Sequence, residues 1–380
     1  MRWHDYVLER GDGLAQLWVD HFAQRESQPL FVMAKSFDPR SCTALEQLLK
    51  TGALNHVDVR VLYYNSGDEQ IVDEDLVTRG ADNFSKIEEL VASVGTIKSV
   101  ELRTDSEGQR RNTSASAKDV FQTYPDIESY SDIIVDISGM PRSVFFPLIA
   151  RLLALIDASP DGDAGAKNLF VVVSEDPNVD AAIRHEGVDS FAELLPFFRG
   201  TSERASGIDL PTVWLPILGE NRTVQLEVIE NEINSKHLEI WPILPSPSRD
   251  PRRSDNLFIE YQKYLLDNHG IDPRSFIHAS EDNPFEVYRQ LYRATEECRS
   301  TLSPLGGPEG AGCHIVYSAL SSKLMSLGTL LAAYDLKTRE TNPIGVGIAH
   351  VGCNNYRLEE CVPDTEVFGL WLTGRCYDVD

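Results

Sequence analysis

Short, nearly continuous apolar runs alternate with helical stretches along this chain, and that alternation leaves few folds open. Leu30–Ser36 reads as a strand, Ser41–Lys50 as a helix, Val57–Tyr64 as a second strand and Phe84–Val94 as a second helix. Val100–Arg103 is a third, weaker strand. Ile133–Ile137 is a fourth, followed by a helix over Ser143–Ile156, and Leu169–Ser174 is a fifth. Strands that are apolar on both faces need cover on both faces. The intervening helices supply it, which is the logic of a parallel sheet. Asp5–Gln24 has helical spacing and is expected as a lead-in helix.

After Pro211 the pattern starts again. Val213–Leu218 is a strand, Thr223–Asn234 a helix, Leu238–Leu244 a strand and Asn256–Asn268 a helix. Phe276–Ala279, His314–Ser318 and Ile344–His350 continue as strands around helices at Pro284–Arg299 and Leu324–Tyr334. Phe368–Leu372 is a candidate sixth strand of this half. Arg40 and Arg222 follow the first strand of each half, and Arg142 and Lys323 follow the fourth, at offsets of 182 and 181 residues. The expected architecture is α/β: two tandem Rossmann-like units with mostly parallel sheets, over 1–200 and 211–380. The polar segment Arg199–Leu210 is the expected linker.

The chain carries 59 acidic and 35 basic residues, a formal net charge of −24. That field repels a nucleic-acid duplex, so direct duplex DNA binding is excluded. A small anion in a local basic pocket is compatible with it. No apolar run reaches the ~18–20 residues that span a bilayer; Val144–Ile156 is interrupted by Pro147 and Arg151. The first residues lack the apolar core of a secretory signal, so a cytoplasmic location and no membrane partner are the default expectation. The six cysteines form no CxxC pair. Reduced thiols and no metal site are expected. GxGxxG after the first strand, GxxxxGK[ST], GxSxG and HExxH are all absent, so no cofactor is expected and no catalytic residue stands out.

Open parallel sheets bind ligands beyond the carboxyl ends of their strands, where strand order reverses and helix N-termini present backbone N–H groups. Three segments sit there. In Ser138-Gly139-Met140-Pro141-Arg142-Ser143, the glycine permits close approach and the arginine and serine reach an anion at the helix start. In Phe37-Asp38-Pro39-Arg40-Ser41, Asp38 and Ser41 serve equally well as helix caps. Ser321-Ser322-Lys323, with Arg222 after the first strand of the same half, is the third; its serines also read as caps. Asn354, Asn355 and Tyr356 are candidate contacts to a base or ribose. Arg249, Arg252 and Arg253 read as a solvated basic loop.

Asp136-x-Ser138-x-x-x-Arg142, placed after a predicted fourth strand, resembles the motif of the CARF superfamily, the Rossmann-like sensors of cyclic oligonucleotides. That motif is Asp or Asn, any residue, Ser or Thr, three residues, then Arg or Lys. The resemblance implies that Phe37–Ser41 is a ligand-contacting loop. In the second half, Tyr317 and Ala319 stand where the acidic and hydroxyl residues belong, counting back from Lys323. Two such units in one chain look like the SAVED arrangement of antiviral signalling. The resemblance thus implies a sensor of a cyclic oligonucleotide or similar anionic nucleotide that regulates a separate effector protein, with oligomerisation left open. Two alternatives stand beside it: a nucleotide-processing enzyme of the same architecture, and a structural subunit of a defence complex.

Overall fold

The structure, a computed structural model, describes residues 1–23, 27–64, 73–103, 106–107, 110–111, 113–159, 167–200, 210–306 and 312–377. In chain order the elements are β1 (Val7–Arg10), α1 (Gly11–Phe22), β2 (Pro29–Ala34), α2 (Thr43–Lys50), β3 (Val57–Tyr64), α3 (Glu74–Val91) and β4 (Gly95–Leu102). A short antiparallel pair, β5 (Ser106–Glu107) and β6 (Arg110–Arg111), precedes α4 (Thr113–Lys118), β7 (Asp132–Asp136), α5 (Arg142–Asp157) and β8 (Asn168–Glu175). Then come α6 (Pro177–Ala182), β9 (Ile183–Val188), β10 (Glu193–Arg199), β11 (Thr212–Ile217), α7 (Thr223–Ile233), β12 (Leu238–Ile240) and β13 (Ile243–Pro245). The rest are α8 (Arg253–Gln262), β14 (Ile277–Ala279), α9 (Pro284–Leu302), β15 (His314–Ala319), α10 (Lys323–Thr338), β16 (Val346–His350), β17 (Cys353–Leu358) and β18 (Glu366–Thr373).

Two compact units result, and the chain passes between them three times. One, here the N-unit, holds Asp5–Gly187 together with Cys353–Asp380. The other, the C-unit, holds Val188–Gly352 together with Met1–His4. The expected boundaries at 200 and 211 are therefore corrected: each unit takes a terminal segment from the far end of the sequence. Most of the expected linker, 201–209, lies outside the described residues.

The N-unit sheet runs β1-β18-β8-β7-β2-β3-β4. Its five parallel strands, taken by rank along the chain, stand in the order 5-4-1-2-3. The C-unit sheet runs β10-β16-β15-β11-β13-β14, which is again 5-4-1-2-3 with an antiparallel strand outside the fifth. The repeat legible in the sequence is thus a repeat of topology. All six residues of β2 and all five of β7 are buried, as strands covered on both faces require. The β7 and β15 runs are central and parallel, and α5 and α10 follow them.

Several expected elements are corrected. The lead-in helix begins only at Gly11, where φ is +52° and glycine relieves the backbone. Val7–Arg10 is instead an edge strand on β18. Leu238–Leu244 is broken into β12 and β13 because Pro242 has no N–H for the ladder. Phe368–Leu372 is a strand, but it lies antiparallel on β8 in the N-unit sheet. The backbone of α9 meets α10 at Gly328, where a Cβ would come within 2.3 Å of the Pro284 carbonyl oxygen. No helix among the described residues is long and apolar enough to cross a membrane.

Candidate functional site

Strand order reverses in the N-unit between β2 and β7, so the loops leaving these two strands lie side by side at the carboxyl edge. A Cβ on Gly139 would stand 2.8 Å from the Cβ of Ser36, which places the two loops in direct contact. Only a residue without a side chain fits there.

The β2 loop is held by its own polar residues. The Arg40 guanidinium donates through Nε and Nη2 to the two Asp38 carboxylate oxygens (2.9 and 2.8 Å) and through Nη1 to Asp180 (2.8 Å). Asp38, Arg40 and Ser41 are all at most 4% exposed. Burial by itself pulls the Arg40 pKa down, but the hydrogen bonds and charge of Asp38, with Asp180 and Glu175, reverse this. The net position is above the ordinary arginine range. Ser41 Oγ donates to the Asp38 carbonyl (2.5 Å).

The β7 loop is built the same way. Ser138 is fully buried; its N–H and Oγ both donate to Asp136 Oδ1, and its Oγ accepts from Ser174 N–H (2.8 Å). Met140 is a core side chain. These placements correct the expectation that Asp38, Arg40, Ser41, Ser138 and Met140 line a ligand surface. They are interior groups that shape the loops. Gly139, Arg142 and Ser143 are half-buried, and α5 begins at Arg142 after an extended Pro141 with no capping side chain.

The structure brings in one distant segment. Asn355 and Tyr356 lie in β17, which pairs with β9, and so belong to the N-unit. The Tyr356 ring meets Phe37, with centroids 5.8 Å apart. The side chain of Asn354 lies outside the described residues. Asp176, fully buried, accepts from the backbone of Asn178, Val179 and Asp364 and from Thr365 Oγ1, tying the approach to β18 to this end of the sheet. Sequence reasoning did not single out Asn83, Ser174, Asp176 or Asp180. Asn83 stands just before the helix expected at Phe84–Val94, where an asparagine reads as a cap; only the start of α3 at Glu74 places it inside the helix.

The C-unit repeats the reversal between β11 and β15, with a different chemistry. Ser322 Oγ accepts from Met325 N–H and caps α10, so the capping alternative describes it. Ser321 is buried and Lys323 half-buried at the helix start. Arg222 donates its backbone N–H to Tyr261 Oη, which in turn donates to the Gly219 carbonyl. Of the basic loop, Arg253 is paired with Glu220 and Glu281 (2.6 and 2.5 Å), while Arg249 and Arg252 are exposed.

Burial raises the thiols of Cys42, Cys298 and Cys313 to about 11, 12 and 11. Thiolate is the reactive form. Alkylation at pH 8 is therefore expected to modify exposed Cys376 first and to spare these three until denaturant is added. Mass spectrometry of labelled peptides checks this; rapid labelling of Cys298 in folded protein would contradict it. Among the described residues, no group of three or more His, Cys, Asp or Glu could hold a metal ion.

No family model matches the chain, and no curated protein matches it. Among solved structures it is similar to a protein described as a universal stress protein from Pseudomonas aeruginosa UCBPP-PA14. Identity is 10% over 86% of this chain and 94% of that one, with a TM-score of 0.24. It is also similar to the cytoplasmic domain of a prokaryotic cation chloride cotransporter, at 8% identity over 87% and 96% of the two chains, with a TM-score of 0.21. Likenesses of this size bear on neither ligand nor activity.

Proposed function

We propose that this protein is a binding module for an anionic nucleotide, seated at the carboxyl edge of the N-unit sheet, and that it regulates a separate effector protein. The observation that carries the reading is the start of α5. It stands at the reversal of strand order, lacks a capping side chain, and opens with Arg142 and Ser143. A helix N-terminus favours negative charge through its aligned peptide dipoles, and arginine adds forked contacts to phosphate oxygens. Asp38, Arg40, Asp136 and Ser138, all buried, brace the two loops from within. The resemblance of Asp136-x-Ser138-x-x-x-Arg142 to the CARF motif favours a cyclic oligonucleotide as the ligand and antiviral defence as the setting.

Isothermal titration with a panel of nucleoside monophosphates and cyclic dinucleotides tests this. Replacing Arg142 with alanine removes charge-assisted hydrogen bonds worth about 1.5–3 kcal/mol, so affinity is expected to fall about 10- to 150-fold. Unchanged affinity in a folded Arg142→Ala protein would show that the loop is only a helix start.

A further inference from the structure

We infer that Phe37 and Tyr356 are the base-stacking half of this site and that Asn83 is the residue that positions Phe37. The ligand is then selected as a nucleobase-bearing anion, not as a phosphate alone. The inference rests on the proposed reading of the α5 end.

The two aromatic residues are 319 positions apart in the chain. They meet at the edge where the β2 and β7 loops touch, because β17 returns to the N-unit. Their rings are 5.8 Å apart at 47°, and both residues are half-buried. The core aromatics of the N-unit are different: Trp18, Phe31 and Phe170 are buried throughout. A pair of half-buried aromatic residues beside an anion-favouring helix start suits a base, since every base has a π-face and stacks with little regard to its identity. The α5 end holds the phosphate.

Phe37 does not hold its own position. Asn83 Nδ2, from α3, donates to the carbonyl oxygens of Ser36 and Asp38 (2.9 and 3.0 Å), the residues on either side of Phe37. At Gly80, one turn earlier, α3 also runs alongside this loop: the position of a Cβ there is 3.8 Å from the Phe37 nitrogen, an ordinary contact distance. Bridging two carbonyls takes a group with two N–H donors, which a primary amide has and a carboxylate lacks. Asn83 thus clamps the loop through its backbone carbonyls, while Arg40 clamps it through the Asp38 carboxylate. Phe37 is left as the side chain between the two clamps.

The test compares base-bearing with base-free probes. Adenosine, guanosine, cytidine and uridine 5′-monophosphates and the cyclic dinucleotides of adenosine and guanosine are titrated beside ribose 5-phosphate and inorganic phosphate. Wild type is expected to prefer at least one base-bearing probe by roughly 5- to 150-fold. Phe37→Leu and Tyr356→Leu, on separate segments so that one serves if the other unfolds, should each lose most of that preference and keep the base-free affinity. Asn83→Asp should do the same, and a 2-aminopurine nucleotide should no longer be quenched on binding. A purely structural role for Asn83 would shift the melting midpoint without changing the ratio. Equal affinity of wild type for base-bearing and base-free probes, or a preference that survives both leucine variants, would overturn the inference and leave the anion site at α5 standing. Binding of no probe at all would overturn both readings.

Discussion

Replacing Arg40 with alanine is expected to cost about 3–5 kcal/mol of stability at pH 7, the usual consequence of removing one partner of a buried ion pair. Arg40 is 3% exposed, and its guanidinium answers Asp38 through two nitrogens and Asp180 through the third. Without it, a buried Asp38 faces Asp180 and Glu175 uncompensated. Burial and like charge then raise the Asp38 carboxylate above its unfolded value. A raised carboxylate pKa costs nothing below the unfolded value of about 4 and progressively more as pH rises above it. The stability gap between variant and wild type should therefore open between about pH 4 and pH 7. Wild-type Arg40, whose pKa is raised, keeps its full contribution at every pH below the ordinary arginine value of about 12.5. Urea unfolding at pH 4, 5.5 and 7 measures this. A gap that stays constant, or an unchanged midpoint at pH 7, would show that the arginine is not the interior counter-charge. The double variant Arg40→Met/Asp38→Leu should recover much of the loss, because well-packed apolar groups replace a buried pair at little cost.

A second large loss is expected from Trp3→Ala. Trp3 is fully buried in the C-unit, edge-on to Tyr288 with ring centroids 5.6 Å apart and beside Tyr334 at 6.5 Å. Its neighbours hold the segment down: Arg2 N–H donates to Asp335 Oδ2 (2.9 Å), Tyr288 Oη donates to the same oxygen (2.5 Å), and Arg289 donates to the His4 carbonyl. Truncating a buried tryptophan costs about 3–5 kcal/mol. The loss should be local. Peptide-resolved hydrogen exchange should show α9 and α10 losing protection while β2 and β7, in the other unit, keep theirs. Loss of protection in β2 and β7 alone would contradict the assignment of Met1–His4 to the C-unit. Trp3→Phe should recover part of the protection, since an aromatic ring still fills part of the space.

The site was partly legible. The placement of Gly139, Arg142 and Ser143 in a loop between a buried strand and a helix could be read, because that juxtaposition of apolar runs around a polar loop is local. Phe37 was named as part of its loop. Asp38 and Arg40 were singled out by type, but their role was not, since sequence shows that a charge is present and not which way it is paired. A polar residue at the end of a parallel strand serves a ligand or the loop equally well until its partners are known. Asp180, which answers Arg40, is 140 residues away and sits in an unremarkable helix.

The sequence by itself determined the central parallel strands and the helices between them, the α/β class and the doubling of the unit. Periodicity and breakers act over a few residues, and short apolar runs bounded by breakers and alternating with helical stretches suit a sheet covered on both faces. Only the tertiary structure decided which segments share a sheet. Val7–Arg10 and Glu366–Thr373 pair across nearly the whole chain, β10 closes the C-unit sheet and not the N-unit sheet, and Tyr356 reaches Phe37. Edge pairing satisfies backbone groups that every residue carries, so it leaves almost no mark on side-chain pattern. Long-range contacts are chosen by the total burial of the folded chain, which no local window contains.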